Sequence, residues 1–253
     1  MEVRFRIASE LAGLELPEVL ANPVGPDIVG LSTAKSMHAR YEEWISFLFD
    51  HPVTNPEWHW EGDAPTFDAL EEDYAVLIEQ TFSHSGRDLT RFSDAQVNQG
   101  INFLASTACS DYMFSLKDSK VPIETRLSAI GSIFVLYRDC FQARCTETLS
   151  HLDHVERSAL NSMCYMFWDI NALGCLEGTD DEGRLADCVF SVLADTLRLP
   201  HLACQEAAIH GYGEFSCFYP ERVEEAMDAF VANEIPSAAL RAYAENARIG
   251  YIL

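Results

Sequence analysis

Apolar residues recur at three- and four-residue intervals along most of this chain, the spacing that places them on one face of an α-helix. Met37, Tyr41, Trp44, Ile45, Leu48 and Phe49 form the first such series. Pro52, Pro56, Gly62 and Pro65 then call for a loop over 50–65. A helix is expected from Thr66, as its cap, to about residue 82, with acids crowding the start where the helix dipole is positive. Ser93, with Gln96 three residues on, reads as a capping box ahead of a long apolar series from Val97 to Leu116. Pro122 opens the next helix, which runs to about 145 through Leu127, Ile130, Phe134, Leu136 and Phe141. Further helices fit 155–172, 182–198, 201–215, 221–233 and 236–248, and Pro200, Pro220 and Pro236 punctuate the last three.

The expected fold is therefore all-α, built from stacked antiparallel helix pairs. Residues 1–32 read as an N-terminal arm or cap, where Val3, Phe5 and Ile7 alternate with charged residues before Pro23, Gly25, Pro26 and Gly30. Residues 33–253 form one helical domain, with an acidic, aromatic part over 33–118 and a part over 119–253 whose helices pair through short turns. Cys164 and Cys204 fall forty residues apart on the second helix of successive pairs, near the HEAT/armadillo period of roughly 40–47 residues. HEAT-like stacking and an irregular bundle both fit this pattern.

Charge sharpens the picture. The chain has 253 residues, 48% of them hydrophobic, and a net charge of −23. Residues 41–86 hold eleven Asp or Glu and no Lys or Arg, together with Trp44, Trp58 and Trp60. A one-sign surface repels itself and costs stability, so it points to a basic partner. The acids Glu57, Glu61, Asp63, Asp68, Glu71, Glu72 and Asp73, with Trp58 and Trp60 as anchors, are the expected partner-binding residues. Direct binding to nucleic acid or to an anionic membrane surface runs against such a field.

Eight cysteines without a C-x-x-C pair, most of them in apolar surroundings, read as buried reduced thiols. The first twenty residues lack an unbroken apolar run, and no run reaches the length of a spanning helix. The expected location is the cytoplasm.

Three stretches carry a resemblance: Phe92 to Gly100 running on to Cys109–Phe114, Leu160 to Ile170, and Cys204 to Gly213. They resemble a family of uncharacterised bacterial helical proteins with similar blocks in similar order, over roughly 45–253. The resemblance implies a bacterial, HEAT-like protein and carries no catalytic residue with it.

Candidate chemistry is sparse. His151 and His154 stand at i and i+3, with Glu147 one turn before and Asp153 between, and would form a zinc or iron site of a hydrolase if all faced one way. Neither H-E-x-x-H nor E-x-x-H occurs. Glu206 stands one turn before His210 and is placed to orient it, although a histidine there also suits a helix C-terminus. Cys109 with His84 or His151 would make a thiol nucleophile and base only if the fold joined them. Asp169 and Asn161 lie in an apolar helix, and a buried Asp there would need Arg126, Arg138 or Arg144.

The expected function is binding without a cofactor: an acidic module that masks a basic protein. Its concrete form is an immunity or antitoxin protein occluding a toxin such as a nuclease. The alternatives are the metal-dependent hydrolase and a helical-repeat scaffold subunit in a larger assembly.

Overall fold

The structure is a computed structural model and describes residues 40–60, 65–152, 158–233 and 237–252. The proposed arm over 1–32 lies outside the described residues. Helix α1 (40–49) buries Tyr41, Trp44, Ile45, Leu48 and Phe49, as its spacing predicts. The Trp44 indole N–H donates to Thr81 Oγ1 at 3.0 Å, so the ring enters the core with its polar atom satisfied.

Helix α2 (Glu71–Ser83) is capped at Leu70, four residues later than the expected cap at Thr66. The delay has a local cause. The Tyr74 hydroxyl accepts from the Ala69 N–H and donates to the Phe67 carbonyl, which holds 67–69 outside the helix. Asp73 accepts from the Leu70 N–H and closes the start. Helix α3 (Asp94–Ala105) opens on the expected box, with the Gln96 N–H donating to Ser93 Oγ and the Ser93 N–H donating to Gln96 Oε1. It ends before the apolar series does. Ser110 Oγ donates to the Phe103 carbonyl at 2.6 Å, and the chain turns before a 3₁₀ segment at Tyr112–Leu116.

Helix α4 (Ile123–Val135) continues through a π-wound stretch, Leu136–Phe141, to Arg144. Besides the single turn of helix at Ser85–Asp88, the remaining helices are α5 (Ala159–Ile170), α6 (Glu182–Leu197), α7 (Leu202–Glu214), α8 (Pro220–Val231) and α9 (Ala238–Ala247). No strand occurs among the described residues, so the all-α expectation holds.

Alternate helices are neighbours. α2 packs on α4 and α4 on α6; α3 packs on α5, α5 on α7 and α7 on α9. Cross-links such as α6 on α7 join the two rows. Two glycines allow close approaches between helices. A Cβ at Gly211 of α7 would lie 2.6 Å from Leu193 of α6 and 2.8 Å from Trp168 of α5. At Gly100 of α3 a Cβ would collide with Phe49 and the Leu48 carbonyl of α1. Cys164 and Cys204, the pair forty residues apart, meet where α5 crosses α7: Cys164 Sγ donates to the Ala203 carbonyl at 3.6 Å.

The polar residues inside the core differ from the expected pairing. Asp169 is exposed and needs no arginine. Arg126 is 2% exposed and donates instead to the Val121 carbonyl and to Asp181, tying α4 to the turn before α6. Arg138 pairs with Asp139 and Arg144 with Asp94. Asn161 is buried and fully used, donating to the Thr146 carbonyl and accepting from the Thr146 N–H.

Candidate functional site: an acidic cleft with an aromatic floor

Four segments converge at the N-terminal end of the helical stack. The 3₁₀ turn Trp58–Trp60 supplies His59, the extended stretch 65–70 supplies Phe67 and Asp68, and the first turn of α2 supplies Glu71 and Tyr74. The end of α3 and the turn after it add Phe103, Cys109, Ser110, Asp111 and Tyr112. Together they line an open cleft of about 410 Å³.

The floor is aromatic. Tyr74 and Tyr112 stand 4.9 Å apart between ring centroids, and Phe103 lies 5.9 Å from Tyr112 and 5.2 Å from His59. Trp44 packs under them, 5.0 Å from both Phe67 and Tyr112. These rings are held by the hydrogen bonds that delay α2, and the Phe67 N–H adds one more by donating to the Tyr112 hydroxyl at 3.3 Å. The site is thus anchored to the rigid part of the fold. Burial pushes the Tyr112 phenol up to about 12 and raises the Cys109 thiol, so both are neutral near pH 7.

The walls are acidic. Asp68, Glu71 and Asp111 are exposed and make no ion pair among the described residues. Glu72, next to them in sequence, is likewise exposed and unpaired. Acids elsewhere are often neutralised in place, as in Asp94 with Arg144, Glu124 with Arg184 and Asp228 with Arg248. Arg40 lies at the edge of the cleft. Its guanidinium lies 5.3 Å from the Phe67 ring centroid and donates to the Asp68 backbone carbonyl at 2.7 Å, not to the carboxylate.

His59 is the unusual wall residue. Its side chain is fully buried, and neither ring nitrogen has a hydrogen-bond partner. Nε2 lies 3.2 Å from Glu57 Oε2, close enough for attraction but outside hydrogen-bond geometry. Burial lowers its pKa, against the pull of Glu57, so the ring is neutral near pH 7. A neutral imidazole carries one donor and one acceptor nitrogen, and here neither is satisfied.

The expected partner-binding residues divide. Trp60 is 55% exposed and Leu70, which the sequence reading passed over, is 74% exposed; both stand beside the acids in sequence. Asp68, Glu71 and Glu72 are exposed, and Asp73 is committed to the α2 start. Trp58 is a correction: it is 5% exposed, stacks on His51 at 3.7 Å and packs on Phe103, so it belongs to the core. Glu57 is half-buried and accepts from Asn102. Glu61 and Asp63 lie outside the described residues.

Of the residues of the hydrolase alternative, only Glu147 and His151 are described, since Asp153 and His154 lie outside the described residues. Glu147 is exposed, while His151 Nδ1 lies 2.6 Å from Glu206 of α7. Glu206 therefore serves His151, and His210 bonds through Nδ1 to the Tyr243 hydroxyl at 2.7 Å. Among the described residues no three His, Cys, Asp or Glu side chains are placed to hold one metal ion. Cys109 lines the cleft, where the histidine among the lining residues is His59 and not His84 or His151.

Comparison with protein-family models, with curated proteins and with solved structures finds no match. Among the described residues no helix is long and apolar enough to cross a membrane.

Proposed function

We propose that this chain is a binding protein whose acidic, aromatic face takes a basic partner protein. The observation that carries the reading is a cleft with an aromatic floor and unpaired Asp68, Glu71 and Asp111 on its walls, with exposed Trp60, Leu70 and Glu72 next to its lining residues in sequence. Unpaired carboxylates raise the local field and steer a basic surface inward. Large exposed apolar side chains supply the area that water leaves when the partner seats. The remaining surface charge is of the same sign, which speeds encounter and disfavours nucleic acid.

The sharpest form of this function is inhibition. A basic toxin such as a nuclease presents a row of cations to phosphate, and an acidic face that fills that row would occlude it. An immunity or antitoxin role, in a bacterial cytoplasm, is the specific version proposed. A scaffold role would use the same face without blocking an activity.

The test is capture of the tagged chain from its native host, with elution by a rising salt gradient. Recovery of one stoichiometric protein with pI above about 9, released by moderate salt because exposed ion pairs are screened, supports the proposal. Recovery of acidic or neutral partners only, held equally at high salt, contradicts it.

A further inference from the structure

We infer that the cleft is a receptor for a single arginine side chain of the partner, an inference that rests on the binding function proposed above. The cleft asks for a ligand with three properties. Asp68, Glu71 and Asp111 on its walls ask for positive charge. The rings of Phe67, Tyr74, Phe103 and Tyr112 ask for a flat or polarisable group that packs on aromatic faces. The acceptor nitrogen of the neutral His59 ring, buried without a partner, asks for an N–H donor.

A guanidinium has all three. It is planar and always charged, it stacks on aromatic rings, and it carries five N–H donors in a fixed fork. One edge meets carboxylate in a paired geometry while another N–H remains for a neutral acceptor. A lysine ammonium supplies charge and three donors but no plane to stack, so it fits the floor less well. The chain already shows this chemistry once, at the edge of the same floor. Arg40 lays its guanidinium over Phe67 while donating to the backbone of Asp68. Arg40 does not supply the missing donor, because both ring nitrogens of His59 stay unpaired with Arg40 in place.

Two other clusters offer no open site. The buried Cys164 and Cys204 thiols sit in the core with no exposed surface, and the Glu206–His151 pair closes on itself.

The experiment titrates the isotope-labelled full chain with N-acetyl-arginine N′-methylamide at low salt and reads amide shifts by NMR. The citrulline analogue, equal in shape but neutral, and the lysine analogue are titrated in parallel. The expected result is saturable shifts confined to residues near 59, 67–74, 103 and 109–112. Citrulline should bind at least fivefold more weakly, and lysine more weakly than arginine. The surface variant Asp68→Asn/Glu71→Gln/Asp111→Asn, whose fold is checked by circular dichroism, should lose binding at least fivefold. Equal binding of citrulline, equal or tighter binding of lysine, shifts scattered over the whole acidic surface, or an unaffected triple variant would each overturn the inference.

A second variant separates this inference from the function it rests on. Trp60→Ala/Leu70→Ala/Glu72→Gln leaves the cleft-lining residues intact. If this variant loses the captured partner but wild-type chain ignores the arginine amide, the cleft inference falls and the binding function stands. If the arginine amide binds as described but no basic partner is captured, the binding function falls and the site's ligand chemistry remains.

Discussion

The carboxylate of Glu206, on α7 and wholly buried, closes on Nδ1 of His151 at 2.6 Å across fifty-five residues of sequence. The same carboxylate accepts the backbone N–H groups of Ser150 at 2.7 Å and His151 at 2.9 Å. It thereby pins the irregular segment after α4 to the centre of the helical stack. A buried carboxylate is tolerable only when so engaged, and removing its charge leaves donors without an acceptor. Glu206→Gln should cost roughly 3 kcal/mol, read from the urea midpoint. A double-mutant cycle with His151→Ala should give coupling of about 1 kcal/mol or more. Additive losses would show that the pair is not a unit.

The two tryptophans of the 3₁₀ turn should behave oppositely. Trp58 is stacked on His51 and covered, so Trp58→Ala opens a cavity and should cost about 3 kcal/mol in stability. Trp60 is exposed, so Trp60→Ala should leave the thermal midpoint unchanged and weaken partner binding tenfold or more. Differential scanning calorimetry with the affinity of the captured partner reads both. A stability loss at Trp60 as large as that at Trp58 would be at odds with this arrangement.

Gly211 tests the closeness of the packed helices. A methyl group there meets Leu193 and Trp168 within 3 Å, and both neighbours are fully buried with no room to retreat. Gly211→Ala should destabilise by about 1–3 kcal/mol despite the better helix propensity of alanine. Gly131, which has open space around it, is the control. Gly131→Ala should stabilise slightly.

His210 gives a pH dependence with a defined sign. Burial lowers its pKa below the ordinary value of about 6.5, against the pull of Asp169 and Glu206 and with help from His151. The neutral ring is the one that bonds Tyr243, while Glu214 lies 3.5 Å from Nε2. Its contribution is therefore fully present above pH 6.5 and is lost as pH falls through the lowered folded-state value. The stability advantage of wild type over His210→Gln, measured in urea, should shrink between pH 7.5 and pH 5. An advantage that stays constant or grows on acidification would contradict this assignment.

Helical periodicity made most of the fold legible. The series around Trp44, the Ser93–Gln96 box and the proline-punctuated helices after 182 agree with the structure within a few residues, because each rests on local spacing. The errors came from contacts distant in sequence. Thr66 fails as a cap because Tyr74 and Tyr112 hold 67–69 extended. Asp169 looked buried among apolar neighbours but falls on the outer side of α5. Glu206 stands one turn from His210 in sequence, whereas its side-chain partner is His151, fifty-five residues away. The acidic half of the site could be read as a run, Asp68 to Asp73. The cleft itself could not be read, since Phe103, Cys109, Asp111 and Tyr112 join Phe67 and Tyr74 only through the fold.

The most direct measurement compares capture from the native host by two variants with equal loss of charge. One carries Asp68→Asn/Glu71→Gln/Glu72→Gln on the proposed face. The other carries Glu221→Gln/Glu225→Gln/Glu245→Gln, exposed and unpaired acids on α8 and α9. The account predicts that the face variant loses its basic partner at least tenfold while the remote variant keeps it. Equal loss from both would mean that only total charge matters, and would contradict a dedicated acidic, aromatic binding face.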